Sequence, residues 1–282
     1  MTDYPGTIAV TAVREAADAI SAAHLFTYLV PETAEEAARL GVPERPPAYF
    51  ALRAAPMGAV PWQVVLATFY NFSPRAVQTM AGAWDIAPPG QWQAARFTSV
   101  ERAMDRVGVH LPAERIAEAR SLLDPVVANA DYAGKPLAAA NAAVPLPADP
   151  LVALWQQITV IREWRGDAHL PVLADHRLGP CDCLVLHTAT GRLPVPLARR
   201  TRMWTDDEWA AATNRLATRG WLTPDGVLTD LGAQAREDIE TETDERCAPL
   251  WAPIGEAGTR RVTSLIKPIG EAFAAAGTYR LH

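Results

Sequence analysis

The sequence WQQITVIREWRGDAHLP occupies residues 155–171 and combines a helical pattern of apolar residues with a dense group of ionisable side chains. Residues spaced i, i+4, i+7 and i+11 share one stripe of a helix. Four residues here have that spacing: Ile158, Arg162, Arg165 and His169. Pro171 lacks a backbone N–H and crowds the preceding turn, so we expect the helix to kink or end beside the charges. The pattern predicts a long helix with a candidate site on one stripe.

The composition is typical of a globular protein with a substantial core. The chain has 282 residues, of which 49% are hydrophobic, enough for one large or two ordinary domains. Its net charge of −6 and pI near 5.6 argue against a protein whose main work is to neutralise a phosphate backbone. Nonspecific nucleic-acid binding is therefore disfavoured. Binding of nucleic acid through a local basic patch stays open.

The cysteines and the N-terminus indicate a cytoplasmic protein. The chain has three cysteines, and Cys181 and Cys183 give neither a disulfide framework nor the paired spacing of a structural zinc site. Residues 1–6 lack a basic segment followed by an apolar run, and no stretch reaches the roughly 18 apolar residues needed to cross a bilayer. We expect no membrane contact.

Prolines divide the sequence into two parts. Residues 133–150 contain Gly134, Pro136, Pro145, Pro147 and Pro150 and few charges, which is typical of a boundary. We therefore predict an N-terminal helical half at residues 1–148, in the form of a degenerate winged-helix-like unit. The second half, residues 149–282, is predicted to hold the long helix and a better-preserved winged helix.

The clearest supersecondary signal lies in the second half. Thr205 and the carboxylates that follow it are typical of a helix N-cap, and Gly220 ends that helix. Residues 221–229 then have the pattern of two short strands around a Pro-Asp-Gly turn. Helix, short helix, capped helix, hairpin and long helix follow one another as in a winged-helix domain. Residues 178–240 resemble the DNA-binding core of MarR-type regulators, notably at residues 216–222 and 228–232.

The two halves share a weak internal echo. Ala-His-Leu occurs at residues 23–25 and again at 168–170, and each is followed by a Leu-Gly turn. This pattern indicates a degenerate duplication in which His24 and His169 are equivalent. The fold prediction is therefore mainly α, with two winged-helix-like units that carry short β-hairpins, each preceded by a long helix and packed as one pseudo-duplicated body.

The whole chain also resembles a family of actinobacterial helix-turn-helix-like proteins. The residues that carry the resemblance are 24–28 with 31–32, 49–58, 67–72, 162–169 and 188–191. The family has His where this chain has Trp164 and Gly where it has Ala168, so these positions are expected to tune a pocket. The resemblance implies a shared fold and site, and it supplies no reaction.

The charges around the predicted recognition helix give conflicting indications about DNA binding. Arg199, Arg200 and Arg202 precede the helix, which favours contact with phosphates. Residues 206–208 are all acidic, however, and they occupy the end that normally enters the major groove. Three carboxylates there would face phosphate oxygens. DNA binding is thus disfavoured, and a winged helix reused as a scaffold is the preferred interpretation.

The remaining polar residues on apolar helices predict a central pocket. The predicted catalytic residues are His24, His169, Arg165 and Asp167. The predicted ligand-binding residues are Tyr28, Tyr49, Arg53, Asn71, Arg162, Trp155 and Trp164. The histidines would act as general acid and base near neutral pH, and an arginine would bind a carboxylate or an oxyanion. Asp167 can orient His169 only if the helix bends, because residues two apart point about 200° from each other.

These observations leave several functions open. The first is a small-molecule-binding protein, with cofactor-independent acid/base catalysis in specialised metabolism as one use of its pocket. The alternative is a MarR-like regulator that senses a small ligand, and a purely structural interaction module is the third. No cofactor is assigned, and metal binding is not predicted because no HExxH-like pair occurs. The terminal helices are expected to form a homodimer.

Overall fold

The computed structural model describes residues 8–279, which form fifteen α-helices. The first nine helices are α1 (Val10–Leu25), α2 (Pro31–Arg39), α3 (Arg45–Ala54), α4 (Trp62–Phe69), α5 (Pro74–Gln78), α6 (Ala83–Ile86), α7 (Pro89–Val107), α8 (Ala113–Ala128) and α9 (Pro136–Ala142). The other six are α10 (Pro150–Asp175), α11 (Pro180–Ala189), α12 (Val195–Arg202), α13 (Asp206–Thr218), α14 (Asp230–Cys247) and α15 (Gly255–Ala275). The protein is mainly helical.

Helix α10 is the central element, and it is a long helix, as the sequence pattern predicts. The Asp149 side chain accepts hydrogen bonds from the backbone N–H groups of Leu151 and Val152, and Pro150 occupies the first turn. The helix then runs for 26 residues through Gly166 and Pro171. Of the two outcomes expected at Pro171, a kink or an end, the end does not occur. Packing on both sides holds the helix together, since most of its residues are buried.

The predicted winged-helix units are not seen. No strand is present among residues 8–279, and the segment between α13 and α14 contains one isolated antiparallel bridge, from Leu222 to Leu228. The Pro-Asp-Gly turn does form, with Gly226 at a φ of 85°. Its arms stay short because Thr229 already caps α14, where its side chain accepts from the N–H of Gly232. The N-terminal half is likewise helical, so the two-hairpin fold prediction is wrong.

Three buried hydrophobic clusters organise the chain. The first joins α1, α7, α8, α10 and α15, the second joins α3 to α7, and the third joins the end of α10 to α11, α13 and α14. Helix α10 therefore contributes to two of the three. Its arginines and His169 lie along the part of the helix where the first cluster ends and the third begins.

The terminal helices α1 and α15 pack against each other within the chain. Phe26 and Phe273 stack with ring centroids 3.8 Å apart. Gly270 allows the helices to approach closely, since a Cβ there would lie 2.7 Å from the Cβ of Ala22. This intrachain contact thus occupies part of the surface of the terminal helices, which the sequence predicted to form a homodimer.

Among residues 8–279, no helix has the length and apolar character required to cross a bilayer.

Candidate functional site

A cavity with a volume of about 340 Å³, which we call the main cavity, lies against α10. Its walls come from α3, α4, α10, α11, α12 and α14, together with the segment between α4 and α5. It therefore lies where N-terminal helices meet the helices that follow α10. A cavity of this size holds a small organic molecule.

Seven of the eleven predicted site residues line this cavity. They are Tyr49, Arg53, Asn71, Arg162, Arg165, Asp167 and His169. The stripe on α10 explains three of them, since helical spacing places Arg162, Arg165 and His169 on one side. Arg53, Arg162 and Arg165 also line a neighbouring cavity of about 160 Å³ behind α10.

The other four predicted residues lie elsewhere. His24 is fully buried and stacks on Trp155, with ring centroids 5.3 Å apart. Its Nε2 atom is 3.4 Å from Nη2 of Arg96, another buried residue that the sequence pattern did not single out. Since Arg96 can only donate, His24 Nε2 accepts. Burial lowers the pKa of His24 well below its ordinary value.

Tyr28 and Trp164 are also separated from His169. Tyr28 lines a small cavity of about 60 Å³, which it shares with Tyr49 and Arg96. The Trp164 indole N–H donates to the Asp131 carbonyl. Neither Tyr28 nor Trp164 lines the main cavity. His24 does not line it either, so the structure does not bring the two histidines into one cavity.

A buried ion-pair network joins α3 to α10. Arg53 donates from Nε and Nη2 to the carboxylate of Glu163, at 3.2 and 2.8 Å, and Arg162 donates to the same carboxylate at 2.7 Å. Although burial alone would raise it, Arg162 and Arg53 hold the pKa of Glu163 well below its ordinary value. Arg53 also donates to the Tyr49 hydroxyl. The carboxylate thus has two guanidinium partners.

A second network joins α10 to α14. Arg165 donates to Glu240 at 2.7 Å and to the fully buried Asp244 at 2.9 Å, and Arg236 pairs with Glu240. Burial alone would raise the pKa of Glu240, but Arg236 and Arg165 lower it to about 2. Arg165 is therefore largely committed to protein carboxylates.

Asp167 has a structural contact that the sequence did not predict. One carboxylate oxygen accepts from the backbone N–H groups of Leu137 and Ala138, at the N-terminus of α9. Burial raises the pKa of Asp167 to about 6 even though these hydrogen bonds oppose the shift. The carboxylate holds α9 and is not bonded to His169.

His169 is oriented by α14. Its Nδ1 atom lies 2.7 Å from the hydroxyl oxygen of Thr243. Burial lowers the pKa of His169 to about 4, so the imidazole is neutral near pH 7. Thr243 thus orients His169, a role that the sequence suggested for Asp167 on a bent helix.

Sequence reasoning missed several lining residues, including His187, Arg202 and Arg236. His187 on α11 lines the cavity, and burial lowers its pKa to about 4. Arg202 was interpreted as a possible phosphate contact of DNA. No local pattern identifies these residues, because helices distant in sequence bring them to the cavity.

Arg202 differs from the other arginines of the cavity because no described carboxylate pairs with it. Its Nη1 atom donates to the Thr201 hydroxyl, and its guanidinium lies 4.8 Å from the centre of the Phe72 ring. Its Nε atom is buried without an acceptor. Burial lowers the pKa of Arg202, which reflects the cost of keeping this cation inside the protein.

The backbone of Arg202 belongs to a tight contact between α5 and the turn that joins α12 to α13. The N–H of Ser73 donates to the Arg202 carbonyl, and the Ser73 hydroxyl donates to the Met203 carbonyl. Arg75 donates to the same Met203 carbonyl and to the carboxylate of Glu208 on α13. We refer to these contacts of Ser73 and Arg75 as the turn clamp.

The described residues contain no group of three or more His, Cys, Asp or Glu side chains with the geometry of a metal site. The cavity's cations, hydroxyls and neutral imidazoles are instead suited to bind an anion or a hydrogen-bonding organic group.

Comparison with known protein families gives a match over most of the chain. The sequence pattern of a helix-turn-helix family matches residues 13–280, which is nearly the whole chain. Neither a curated protein nor a solved structure matches it. The match covers the helices that form the cavity as well as α12 and α13, so the chain belongs to this helix-turn-helix family.

Proposed function

We propose that the protein is a ligand-responsive helix-turn-helix protein, in which a small organic anion occupies the main cavity and controls DNA binding by α12 and α13. Family membership supports the DNA-binding part, and the charges and position of the cavity support the ligand part. The observation that carries the proposal is the place of Arg202, whose side chain lines the cavity while its carbonyl is held by the turn clamp.

The cavity wall carries an excess of positive charge. Five arginines line it, namely Arg53, Arg162, Arg165, Arg202 and Arg236. Three carboxylates line it, namely Glu163, Asp167 and Glu240. The histidines are neutral near pH 7, so they do not alter this difference. An anion is therefore the ligand that this wall favours, and Arg202 is its natural partner because no protein carboxylate competes for it.

The acidic residues at the start of α13 do not rule out DNA binding in this proposal. Asp206 pairs with Arg199, and Glu208 accepts from Arg75 at 2.6 and 2.9 Å. Two of the three carboxylates thus already have guanidinium partners. The turn clamp also covers this end of α13, so we infer that the Arg75–Glu208 pair belongs to the surface that meets DNA and that a change in the clamp alters binding.

A ligand can act on the clamp through the segment between α4 and α5. Tyr70 lines the cavity and has a φ of 53° and a ψ of −69°, with the Asn71 N–H bonded to the Phe69 carbonyl. This tight turn is strained for a residue with a side chain. Asn71 next to it accepts from the Trp204 indole in the α12–α13 turn. Cavity, strained turn and clamp are therefore contiguous.

The DNA part is tested by selection from a random-sequence duplex library, followed by affinity measurements at several salt concentrations. We expect a defined duplex to be enriched and its affinity to fall steeply with salt. Arg200→Ala, which removes an exposed cation of α12, should weaken binding. Arg75→Ala, which leaves the Glu208 carboxylate without its partner at the start of α13, should also weaken binding.

The matched control is Arg261→Ala, because Arg261 is an exposed cation of α15 that pairs with Glu118, remote in sequence from the clamp. This variant should bind DNA like the unmodified protein. Failure of the unmodified protein to enrich any duplex would contradict the DNA part of the proposal.

A second candidate is an acid/base enzyme without a cofactor. The observation that favours it is the presence of neutral His169 and of Asp167, with its pKa of about 6, in one cavity wall. The commitment of Asp167 to α9 makes this candidate the weaker one. Its test is to incubate a metabolite extract with the protein and with His169→Gln. Consumption of a compound by the unmodified protein alone would favour the enzyme.

A further inference from the structure

His169 has two chemically different ring nitrogens, and the protein fixes which of them carries the proton. The Thr243 hydroxyl oxygen lies 2.7 Å from His169 Nδ1 and also 2.7 Å from the Ile239 carbonyl oxygen. A hydroxyl has one proton to donate. The carbonyl can only accept, so a hydrogen bond at that distance uses the proton of Thr243.

The Thr243 oxygen must then accept from His169. Its remaining contact is Nδ1 of the imidazole, and two lone pairs facing each other at 2.7 Å would repel. The proton of the neutral ring therefore resides on Nδ1, and Nε2 has a free lone pair. Thr243 is fully buried on α14, so water does not compete for this hydrogen bond.

The lone pair of Nε2 is available to a ligand. His169 lines the main cavity and is half-buried, and within the described part of the chain no donor contacts Nε2. Nor is Nε2 one of the buried polar atoms that lack a partner, so part of its surface is accessible. The charged side chains nearest the imidazole are Glu240, Arg236 and Arg165, and the guanidiniums of both arginines are paired with carboxylates.

We propose that His169 Nε2 recognises a hydrogen-bond donor on the ligand, so that the cavity selects small organic anions that also carry an O–H or N–H group. This inference rests on the proposed function, because it takes the main cavity as the ligand site. The anionic group binds at Arg202, and the donor of the same molecule binds at His169. An anion with only acceptors would leave the lone pair of Nε2 without a partner inside the protein.

The tautomer is tested directly by ¹⁵N NMR of the histidine side chains. We expect the unmodified protein to hold the His169 proton on Nδ1. Thr243→Ser keeps the hydroxyl and should keep this tautomer. Thr243→Val removes the acceptor with little change in volume, and the proton should move wholly or partly to Nε2. A proton on Nε2 in the unmodified protein would overturn the inference without any need for the variants.

Ligand selection is tested with matched sets of carboxylic acids, measured by titration calorimetry. One set is 3-hydroxypropanoate, 3-methoxypropanoate and propanoate, and an aromatic set is 3-hydroxybenzoate, 3-methoxybenzoate and benzoate. The hydroxy member should bind about tenfold more tightly than both others, as expected for one lost hydrogen bond to a buried acceptor. Preference over a larger and a smaller analogue excludes an effect of size.

The variants separate this inference from the proposed function. Thr243→Val should abolish the preference for the hydroxy member, Thr243→Ser should retain it, and Arg202→Met should weaken all members of a set by a similar factor. Equal binding of hydroxy and methoxy members, combined with sensitivity to Arg202→Met, would overturn the role of His169 and leave the anion site intact. Absence of binding by every member, or binding indifferent to Arg202→Met, would overturn the anion site itself.

Discussion

Among the single residues around the cavity, Arg202 differs from the other arginines in its partners. Arg202 is a cation inside the protein without a carboxylate partner among the described residues, and such a group costs free energy when no ligand is present. Glu163, in contrast, has two arginine partners. This contrast favours Arg202 as the arginine that would pair with a bound anion.

The first prediction concerns Arg202→Met. Without ligand we expect this variant to be at least as stable as the unmodified protein, because it removes a half-buried charge that no described carboxylate pairs with and retains an apolar side chain. Urea unfolding measures the free energy of unfolding of both proteins. The control Arg53→Met breaks the pair with buried Glu163 and should lose about 3 kcal/mol or more. A similar loss in Arg202→Met would assign that residue a structural role.

The second prediction is a loss of stability in acid. The pKa of His169 and of His187 is about 4 in the folded chain, below the ordinary value, so unfolding takes up protons between about pH 6.5 and 4. The free energy of unfolding therefore falls as the pH falls through this window, by at most about 1.4 kcal/mol per pH unit for each histidine. Asp167 opposes this, because its pKa is raised to about 6.

Comparison of variants isolates the histidine contribution. His169→Gln should reduce the slope of stability against pH by up to one proton, measured by urea unfolding at pH 4.5 to 7. His110→Gln changes an exposed residue and should keep the full slope. An unchanged slope in His169→Gln would show that this imidazole is protonated as easily in the folded chain as in the unfolded one.

For single residues, the sequence predicted which side chains share one side of α10, but it did not predict the residues that contact them. Helical spacing alone indicates that Arg162, Arg165 and His169 share a side. It does not indicate that Thr243 would orient His169, since these residues are 74 positions apart. The repeated Ala-His-Leu suggested a shared cavity for two histidines, yet His24 stacks on Trp155 instead.

Among the elements, α9 depends on a carboxylate of α10. Asp167 accepts from two backbone N–H groups that the start of a helix otherwise leaves without partners. The third prediction is that Asp167→Ala lowers the free energy of unfolding by about 1–3 kcal/mol. Asp167→Asn keeps an acceptor oxygen and should lose less, in the same urea measurement. Equal losses in the two variants would argue against the capping role.

The contact between α1 and α15 gives the fourth prediction. A Cβ at Gly270 would lie 2.7 Å from the Cβ of Ala22, so Gly270→Ala should push the helices apart. We expect a loss of about 1–3 kcal/mol from overpacking, although alanine favours a helix more than glycine. The double variant Ala22→Gly/Gly270→Ala should recover part of the loss in thermal unfolding. No recovery would place the strain outside this helix crossing.

The elements also show where sequence patterns fail. The capping residue Thr205 correctly predicted the start of α13, because a cap is a local hydrogen bond. Pro171 did not end α10, since burial of the helix outweighs one missing hydrogen bond. The turn at Gly226 formed, but the strands around it did not, because α14 begins directly after Thr229.

Across the whole molecule, the cavity and the α12–α13 turn are two ends of one connected set of contacts. Arg202 takes part in both, and the strained turn at Tyr70 lies between α4 and the clamp. A ligand that binds Arg202 better in one arrangement of the turn than in another would shift the balance between them. The central claim is therefore that an anion bound at Arg202 occupies the cavity.

Metabolite capture tests this claim most directly. The purified protein and Arg202→Met are each incubated with a small-molecule extract of cells, separated from unbound compounds, denatured and compared by mass spectrometry. The account predicts that at least one anionic compound with an O–H or N–H group is enriched on the unmodified protein and lost from Arg202→Met. Equal enrichment on both proteins, or enrichment of neutral and cationic compounds alone, would contradict it.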